Sequence, residues 1–165
     1  MPLTEKETRL VDLLDSLGIA YFRTEHPAVN TIQEARRHWG GLPGAHCKNL
    51  FLRNQKGRRH YLVILEHSKS ADLRRVTEIL GEDRLSFASP ERLKRYLDLE
   101  PGAVSPFGLI HDKENHVEVL IDKDLEGAAR IYFHPNVNTA TLGMSFVDFR
   151  KYLDHCGNRF RFIKM

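Results

Sequence analysis

The 165-residue sequence predicts a single α+β domain built on a mixed, largely antiparallel sheet with helices around it. Three observations lead there. Stretches of helical period and stretches of strand period are intermixed along the chain, so neither type dominates. Several neighbouring strands are joined by turns too short for a parallel crossover, Lys56-Gly57 among them. No linker, internal repeat or low-complexity stretch divides the chain, so residues 1–165 read as one domain, long enough to bury roughly 70% of its unfolded surface.

Thr4-Glu5-Lys6-Glu7 is a capping box with Thr4 as N-cap, and Leu10, Val11, Leu13, Leu14 and Leu17 follow at helical spacing until Gly18 ends the helix. Ile19 to Phe22 is a short strand. A second capping box, Thr31-Ile32-Gln33-Glu34, starts a short helix ending near Trp39-Gly40-Gly41. Leu42-Pro43-Gly44 then turns the chain into a strand from His46 to Arg53, broken by Asn54-Gln55-Lys56-Gly57. With His60 to Leu65 this strand predicts an antiparallel hairpin. Ser70 to Leu80 is a helix closed by Gly81, Leu85 to Ala88 a strand, and Ser89-Pro90 an N-cap with proline at the first helical position. After the loop Pro101 to Pro106, Phe107 to His111 and Val117 to Ile121 flank a hairpin turn at Asp112 to Asn115, the second strand having one solvated face. Ile131 to His134 and Thr139 to Leu142 flank Pro135 to Asn138. A helix opening at Ser145 and a strand from Arg159 to Ile163 complete the chain.

Hydrophobic residues at 41% and charged residues at 28% are those of a soluble globular protein. No apolar run reaches the length of a membrane span, and Met1 to Glu5 has no signal-peptide core. Cys47 and Cys156 form no disulfide framework and no CxxC pattern, so a reduced, cytoplasmic protein is expected. The net charge of +3 permits a polyanionic partner without requiring one, and Arg36-Arg37-His38, Lys56-Gly57-Arg58-Arg59-His60, Arg74-Arg75 and Arg92 with Lys94-Arg95 are its basic clusters. The nine histidines include no HxH or HExxH spacing, and no Gly-x-Ser-x-Gly elbow is present; no metal centre and no serine nucleophile are expected.

Four features carry candidate chemistry. Strand alternation puts Lys48, Leu50 and Leu52 on one face and Cys47, Asn49, Phe51 and Arg53 on the other. If the Leu50/Leu52 face looks into the core, Lys48 sits at its rim, where an ammonium either snorkels to water or awaits an anionic or polar ligand. Gly102-Ala103-Val104-Ser105-Pro106 is a proline-stiffened loop whose backbone N–H groups need a partner. It is either a plain surface turn or a donor set for an oxyanion or a ribose hydroxyl. His134-Pro135-Asn136-Val137-Asn138-Thr139-Ala140-Thr141 is dense in hydrogen-bonding groups, and His134 reads as a general base, an orienting donor or a core histidine bonded to a carbonyl. Cys47 is a thiol nucleophile or a small buried hydrophobe.

Taken in order, these motifs resemble one family. Glu25-His26-Pro27 with Thr31, Gly44-Ala45-His46-Cys47-Lys48-Asn49-Leu50-Phe51-Leu52-Arg53, Phe87 to Leu93, Pro101 to Leu109, and Phe133-His134-Pro135 with Asn138 to Thr141 look like the YbaK-type prolyl-tRNA editing domains. Within it the match is best to the free-standing deacylases of the PrdX or ProXp-ala kind, and it runs from about Leu3 to Gly157. Departures fall at His111-Asp112, where many relatives have Asn-Asp, and at Cys156-Gly157-Asn158, where Thr-Gly-His is frequent.

The resemblance implies one α+β domain around a barrel-like sheet and hydrolysis of the ester of mischarged alanyl-tRNA-Pro, without metal or organic cofactor. The partners it implies are the acceptor end of misacylated tRNA-Pro and prolyl-tRNA synthetase. Onto this sequence the functional lysine falls on Lys48, the G-x-x-x-P loop on Gly102 to Pro106, and the pocket histidine on His134. Gly102, Ala103, Val104, Ser105 and Pro106 would hold the terminal adenosine and carbonyl. His134, Asn138 and Thr139 would shape the alanine pocket, with Thr31 and Asn49 contributing. Arg53 and Arg84 would hold acceptor-stem phosphates. The rival expectations are a deacylase for cysteinyl-tRNA-Pro or another small misacylated tRNA, and a catalytically silent tRNA-binding protein.

Overall fold

The computed structural model describes residues 2–29, 34, 37 and 42–165. The short helix expected from Thr31, and Thr31 itself as a site candidate, lie outside the described residues. The first helix, α1 (Glu5–Ser16), has the expected capping box: Glu7 N–H donates to Thr4 Oγ1 at 3.2 Å and Thr4 N–H to the Glu7 carboxylate at 3.0 Å. β1 (Phe22–Glu25) starts three residues later than its apolar run predicts, because Ile19 folds back to bond the carbonyl of Leu14 and is buried beneath α1. β2 (Ala45–Asn54) and β3 (His60–Glu66) form the expected hairpin, with Lys48 opposite Leu65 and Arg53 opposite His60.

Beyond the hairpin come α2 (Leu73–Leu80), β4 (Leu85–Phe87) and α3 (Pro90–Leu97), the last capped by Ser89. Pro106–His111 then forms a 3-10 helix where the apolar run predicts a strand. Proline fits a first helical turn, and Ser105 Oγ caps it by accepting from Phe107 N–H at 3.2 Å. The hairpin expected at Asp112 to Asn115 is absent too. The buried Asp112 carboxylate accepts the N–H groups of His116 and Val117 at 3.0 and 2.8 Å and the Asn158 amide at 2.9 Å, launching β5 (Val117–Asp122) as an interior strand. β6 (Ile131–Phe133), β7 (Ala140–Met144), α4 (Phe146–Cys156) and β8 (Phe160–Ile163) complete the fold.

The strand order is β1-β7-β6-β2-β3-β5-β8, with β4 paired to β2. Four pairings are antiparallel and three parallel (β2–β6, β3–β5 and β5–β8), so the sheet is mixed with a small antiparallel majority. It is open: β1 and β8 are its edges, and the barrel-like closure implied by the resemblance does not occur.

Both faces of the central strands are covered. Cys47, Phe51, Leu62, Ile64, Val119 and Ile121 enter the main core with α1, α3 and α4. The alternate residues Leu52, Val63, Leu65 and Leu120 pack with Val76 of α2 in a second, smaller core. This corrects the expectation of a solvated face on β5, where only Glu118 is partly exposed. No helix among the described residues is long and apolar enough to cross a membrane.

Candidate active site

β6 hands over to β7 through His134 to Thr139, and this connection is tied down on two sides. Asn136, held at φ 65°, donates its amide to the carbonyl of Phe107 at 3.2 Å, which links it to the Gly102–Pro106 loop. Asn138 donates its amide to the Val29 carbonyl at 3.0 Å, and His26 N–H donates to the Thr139 carbonyl at 3.0 Å. These bonds lay the segment after β1 alongside, so the rings of His26 and His134 stand 6.1 Å apart. His26 Nε2 lies 2.9 Å from Thr141 Oγ1 and its Nδ1 2.9 Å from the Pro27 carbonyl. A carbonyl only accepts, so Nδ1 carries the proton of the neutral ring and Thr141 donates its hydroxyl to Nε2.

His134 is fixed the same way. Its Nδ1 donates to the Ala140 carbonyl at 3.0 Å, leaving Nε2 as an acceptor. Burial lowers its pKa below that of an ordinary histidine and the neighbouring His26 adds to this, while the Ala140 bond works in the opposite direction. The imidazole is therefore neutral at neutral pH.

Between these groups lies a cavity of about 20 Å³ lined by His46, Cys47, Asn49, Tyr132, Phe133, His134 and Thr141. That is room for one water molecule or one methyl group. Two of the expected site residues, Asn49 and His134, line it. Asn49 Oδ1 is buried with no hydrogen-bond partner among the described residues, a state costing about 1–3 kcal/mol until a donor arrives.

The outer wall is a flat stack of His46 on Tyr132, ring centroids 4.5 Å apart at 7°, locked by the Tyr132 hydroxyl donating to Pro43 at 2.7 Å. Tyr132 can lie there because β7 carries glycine: a Cβ at Gly143 would stand 2.5 Å from its ring. Burial, with Glu66 and Asp122 nearby, drives the Cys47 thiol well above its usual pKa, so it is a buried hydrophobe and not a thiolate nucleophile.

The Gly102–Pro106 loop is rigid. Gly102 has φ 90°, Ala103 N–H bonds Glu100 at 3.1 Å, and Tyr152 donates its hydroxyl to the Pro106 carbonyl at 2.8 Å. Ala103, Ser105 and Pro106 are buried, Val104 packs on the main core, and the Ser105 hydroxyl is occupied as a cap. The N–H groups of Gly102, Val104 and Ser105 bond no described residue.

The remaining candidates are dispersed. Lys48 leaves β2 on the face opposite Asn49, half-buried beside Leu50, with no hydrogen bond or ion pair to any described residue. Asn138 is a tie rather than a wall of the cavity, and Thr139 is exposed; the threonine at the cavity is Thr141. Arg53 stands at the far end of β2, and Arg84 is exposed in the turn before β4. Thr141, His46 and Tyr132 are not legible as site residues from sequence. Only the pairing of β6 with β2 and β7 brings them together.

The family model for the aminoacyl-tRNA editing domain matches residues 26–152. The chain is 43% identical over 152 residues to the prolyl-tRNA editing protein ProX of Acetoanaerobium sticklandii, covering 92% of this chain and 93% of that one. It is 34% identical over 157 residues to prolyl-tRNA synthetase associated domain-containing protein 1 of Bos taurus, covering 93% and 92%. A crystal structure of a proposed trans-editing enzyme for prolyl-tRNA synthetase superposes with a TM-score of 0.74 over 99% of both chains at 23% identity, which shows a shared fold. A family match over most of the chain, with a relative this similar over almost its full length, makes the chain a member of the aminoacyl-tRNA editing domain family, an aminoacyl-tRNA deacylase by class.

Proposed function

We propose that the protein hydrolyses the ester of alanyl-tRNA-Pro in trans; one relative named for prolyl-tRNA editing and another named for association with prolyl-tRNA synthetase support the tRNA. The observation that carries the amino-acid choice is the methyl-sized cavity beside a neutral histidine and an amide oxygen that bonds no described residue. The alanine methyl occupies the cavity, and its α-ammonium donates to Asn49 Oδ1. The ring of a prolyl ester is too large for the same space. A synthetase pocket made for proline separates alanine by only roughly 1–3 kcal/mol per methylene, so a second site that excludes by size supplies the missing discrimination.

The reaction asks little of the protein, since an aminoacyl ester is already activated. His134 Nε2 accepts a proton from the attacking water. The water oxygen bonds the carbonyl carbon, and the N–H groups of Val104 and Ser105 receive the developing oxyanion. The C–O bond to ribose then breaks, the ribose oxygen takes the proton from His134, and free alanine and tRNA leave. His26 and Thr141 position the pocket wall next to His134. Lys48, whose side chain bonds no described residue, supplies charge to the terminal nucleotide. Gly102 gives the loop its shape. Asn138 and Thr139 hold the segment carrying His26, and Thr31 belongs to the substrate-binding set.

Deacylation of alanyl-, cysteinyl- and prolyl-tRNA-Pro side by side tests this. Alanyl-tRNA-Pro should be hydrolysed fastest and prolyl-tRNA-Pro spared. Faster cysteinyl hydrolysis would move the specificity, and tRNA binding without turnover of any ester would refute the enzyme assignment.

A further inference from the structure

The end of the sheet away from the small cavity concentrates arginine that the catalytic reading does not use. A cleft of about 410 Å³ opens there between the first residues of β3, β5 and β8, and Arg59, Arg159 and Arg161 line it together with His60 and His116. Arg159 makes no ion pair with any described residue. Arg59 reaches Glu82 at 3.5 Å and Arg161 reaches Glu118 at 3.4 Å, with the arginine side chains 71% and 45% exposed. Ion pairs that long and that exposed are weak and exchange readily for a phosphate.

One rim of the cleft is a fixed aromatic ledge. Arg92 Nη1 donates to the Gly57 carbonyl at 3.0 Å and stands 3.1 Å from His60 Nε2. A guanidinium only donates, so His60 Nε2 accepts, and His60 Nδ1 donates to His116 Nε2 at 3.0 Å. The exposed His116 ring is thereby held flat on Tyr96, centroids 4.5 Å apart at 10°, with the Arg95 guanidinium 5.3 Å from the Tyr96 ring. Arg53, opposite His60 in the hairpin register, adds its charge to the same rim.

We infer that this cleft and its Tyr96–His116 ledge bind the ribose-phosphate backbone of the tRNA whose 3′ end enters the cavity, an inference that rests on the proposed function. Guanidinium groups match phosphate geometry with paired donors, and the exposed His116 ring offers a stacking face. β2 joins the two places: Asn49 lines the cavity, and Arg53 lies four residues along the same strand face, about 13 Å at a rise of ~3.3 Å per residue. The cavity and the basic end thus lie a short distance apart at two ends of one buried strand, within reach of a single acceptor end. Contacts of this kind set register and affinity without reading bases.

The test compares wild type with the triple variant Arg59→Ala, Arg159→Ala, Arg161→Ala for binding of uncharged tRNA across a sodium chloride series. Hydrolysis of alanyl-tRNA-Pro and of an alanyl ester of a CCA trinucleotide is measured on both proteins. The variant should bind tRNA at least tenfold more weakly, and the slope of log affinity against log salt should fall by about 0.9 for each phosphate no longer held. Its KM for alanyl-tRNA-Pro should rise with kcat kept, and the trinucleotide ester should be hydrolysed as by wild type. A control on α1 outside the cleft and the ledge, Arg9→Ala, should leave all of these unchanged. Wild-type affinity and salt slope in the triple variant would overturn the inference, as would an equal loss on the trinucleotide ester. If wild type hydrolyses neither ester while the tRNA binding and its salt slope behave as stated, the catalytic reading fails and the RNA surface stands.

Discussion

His134 Nδ1 donates to the carbonyl of Ala140 at 3.0 Å, and this bond decides what the imidazole offers the cavity. With Nδ1 protonated and the ring neutral, Nε2 presents a lone pair. His134→Ala should therefore lower the single-turnover rate on alanyl-tRNA-Pro by about 10²-fold or more, with tRNA affinity retained. Because its pKa is lowered by burial, the midpoint of the rate's fall with decreasing pH should lie below that of an ordinary histidine. A rate that already falls with decreasing pH above 7 would reject His134 as the acceptor.

The Lys48 side chain bonds no described residue, so Lys48→Ala should change stability by no more than about 0.5 kcal/mol. The same variant should cut deacylation by orders of magnitude. Unchanged single-turnover rates would remove Lys48 from the reaction.

The size of the cavity predicts a change of selectivity at Cys47. With its thiol held protonated by burial, Cys47→Ala should keep alanyl-tRNA-Pro hydrolysis within about threefold, far from the 10²-fold or greater loss of a true nucleophile or base. It should also speed hydrolysis of cysteinyl- and seryl-tRNA relative to alanyl-tRNA, because removing the sulfur enlarges the space. Complete loss of activity in a folded variant would restore the thiol as a nucleophile.

Gly102 has φ 90°, a conformation L side chains rarely adopt. Gly102→Ala should cost about 1–3 kcal/mol of stability or shift the loop, with kcat falling more than tRNA affinity. Parallel denaturant melts and single-turnover kinetics separate the two effects.

Acid should weaken the fold through His60, whose pKa is lowered to about 4, chiefly by burial and then by the positive charges around it. The unfolded chain binds that proton near pH 6.5, so between pH 6.5 and about 4 unfolding takes up protons. Stability is therefore full above that window and lost as pH falls through it. His46, His111 and His134 are shifted in the same direction, so His60→Gln should remove part of this slope. Denaturant midpoints measured across the window provide the check.

Local signals are legible wherever residues near in sequence settle the structure. The capping box at Thr4, the Ser89-Pro90 start, the β2–β3 hairpin and the cap at Ser145 all involve partners within a few positions. The motif order also identifies the family, and among the candidates it names, Asn49 and His134 line the cavity. Tertiary structure decided what depends on partners far along the chain. Phe107 to His111 became a 3-10 helix because Ser105 caps it and Gly108 packs on α3, where a Cβ would stand 2.9 Å from the Leu97 carbonyl. β5 became an interior strand because Asp112 is bonded to Asn158, 46 residues away, and because α2 covers the second sheet face. The cavity wall of His46, Tyr132 and Thr141 exists only through the parallel β2–β6 pairing, which period-2 patterning cannot assign. Alternation alone puts Lys48 on the face of Leu50 and Leu52, as the fold has it. Which side chains of β2 meet the cavity was decided by the chain packed against it, and they are His46, Cys47 and Asn49.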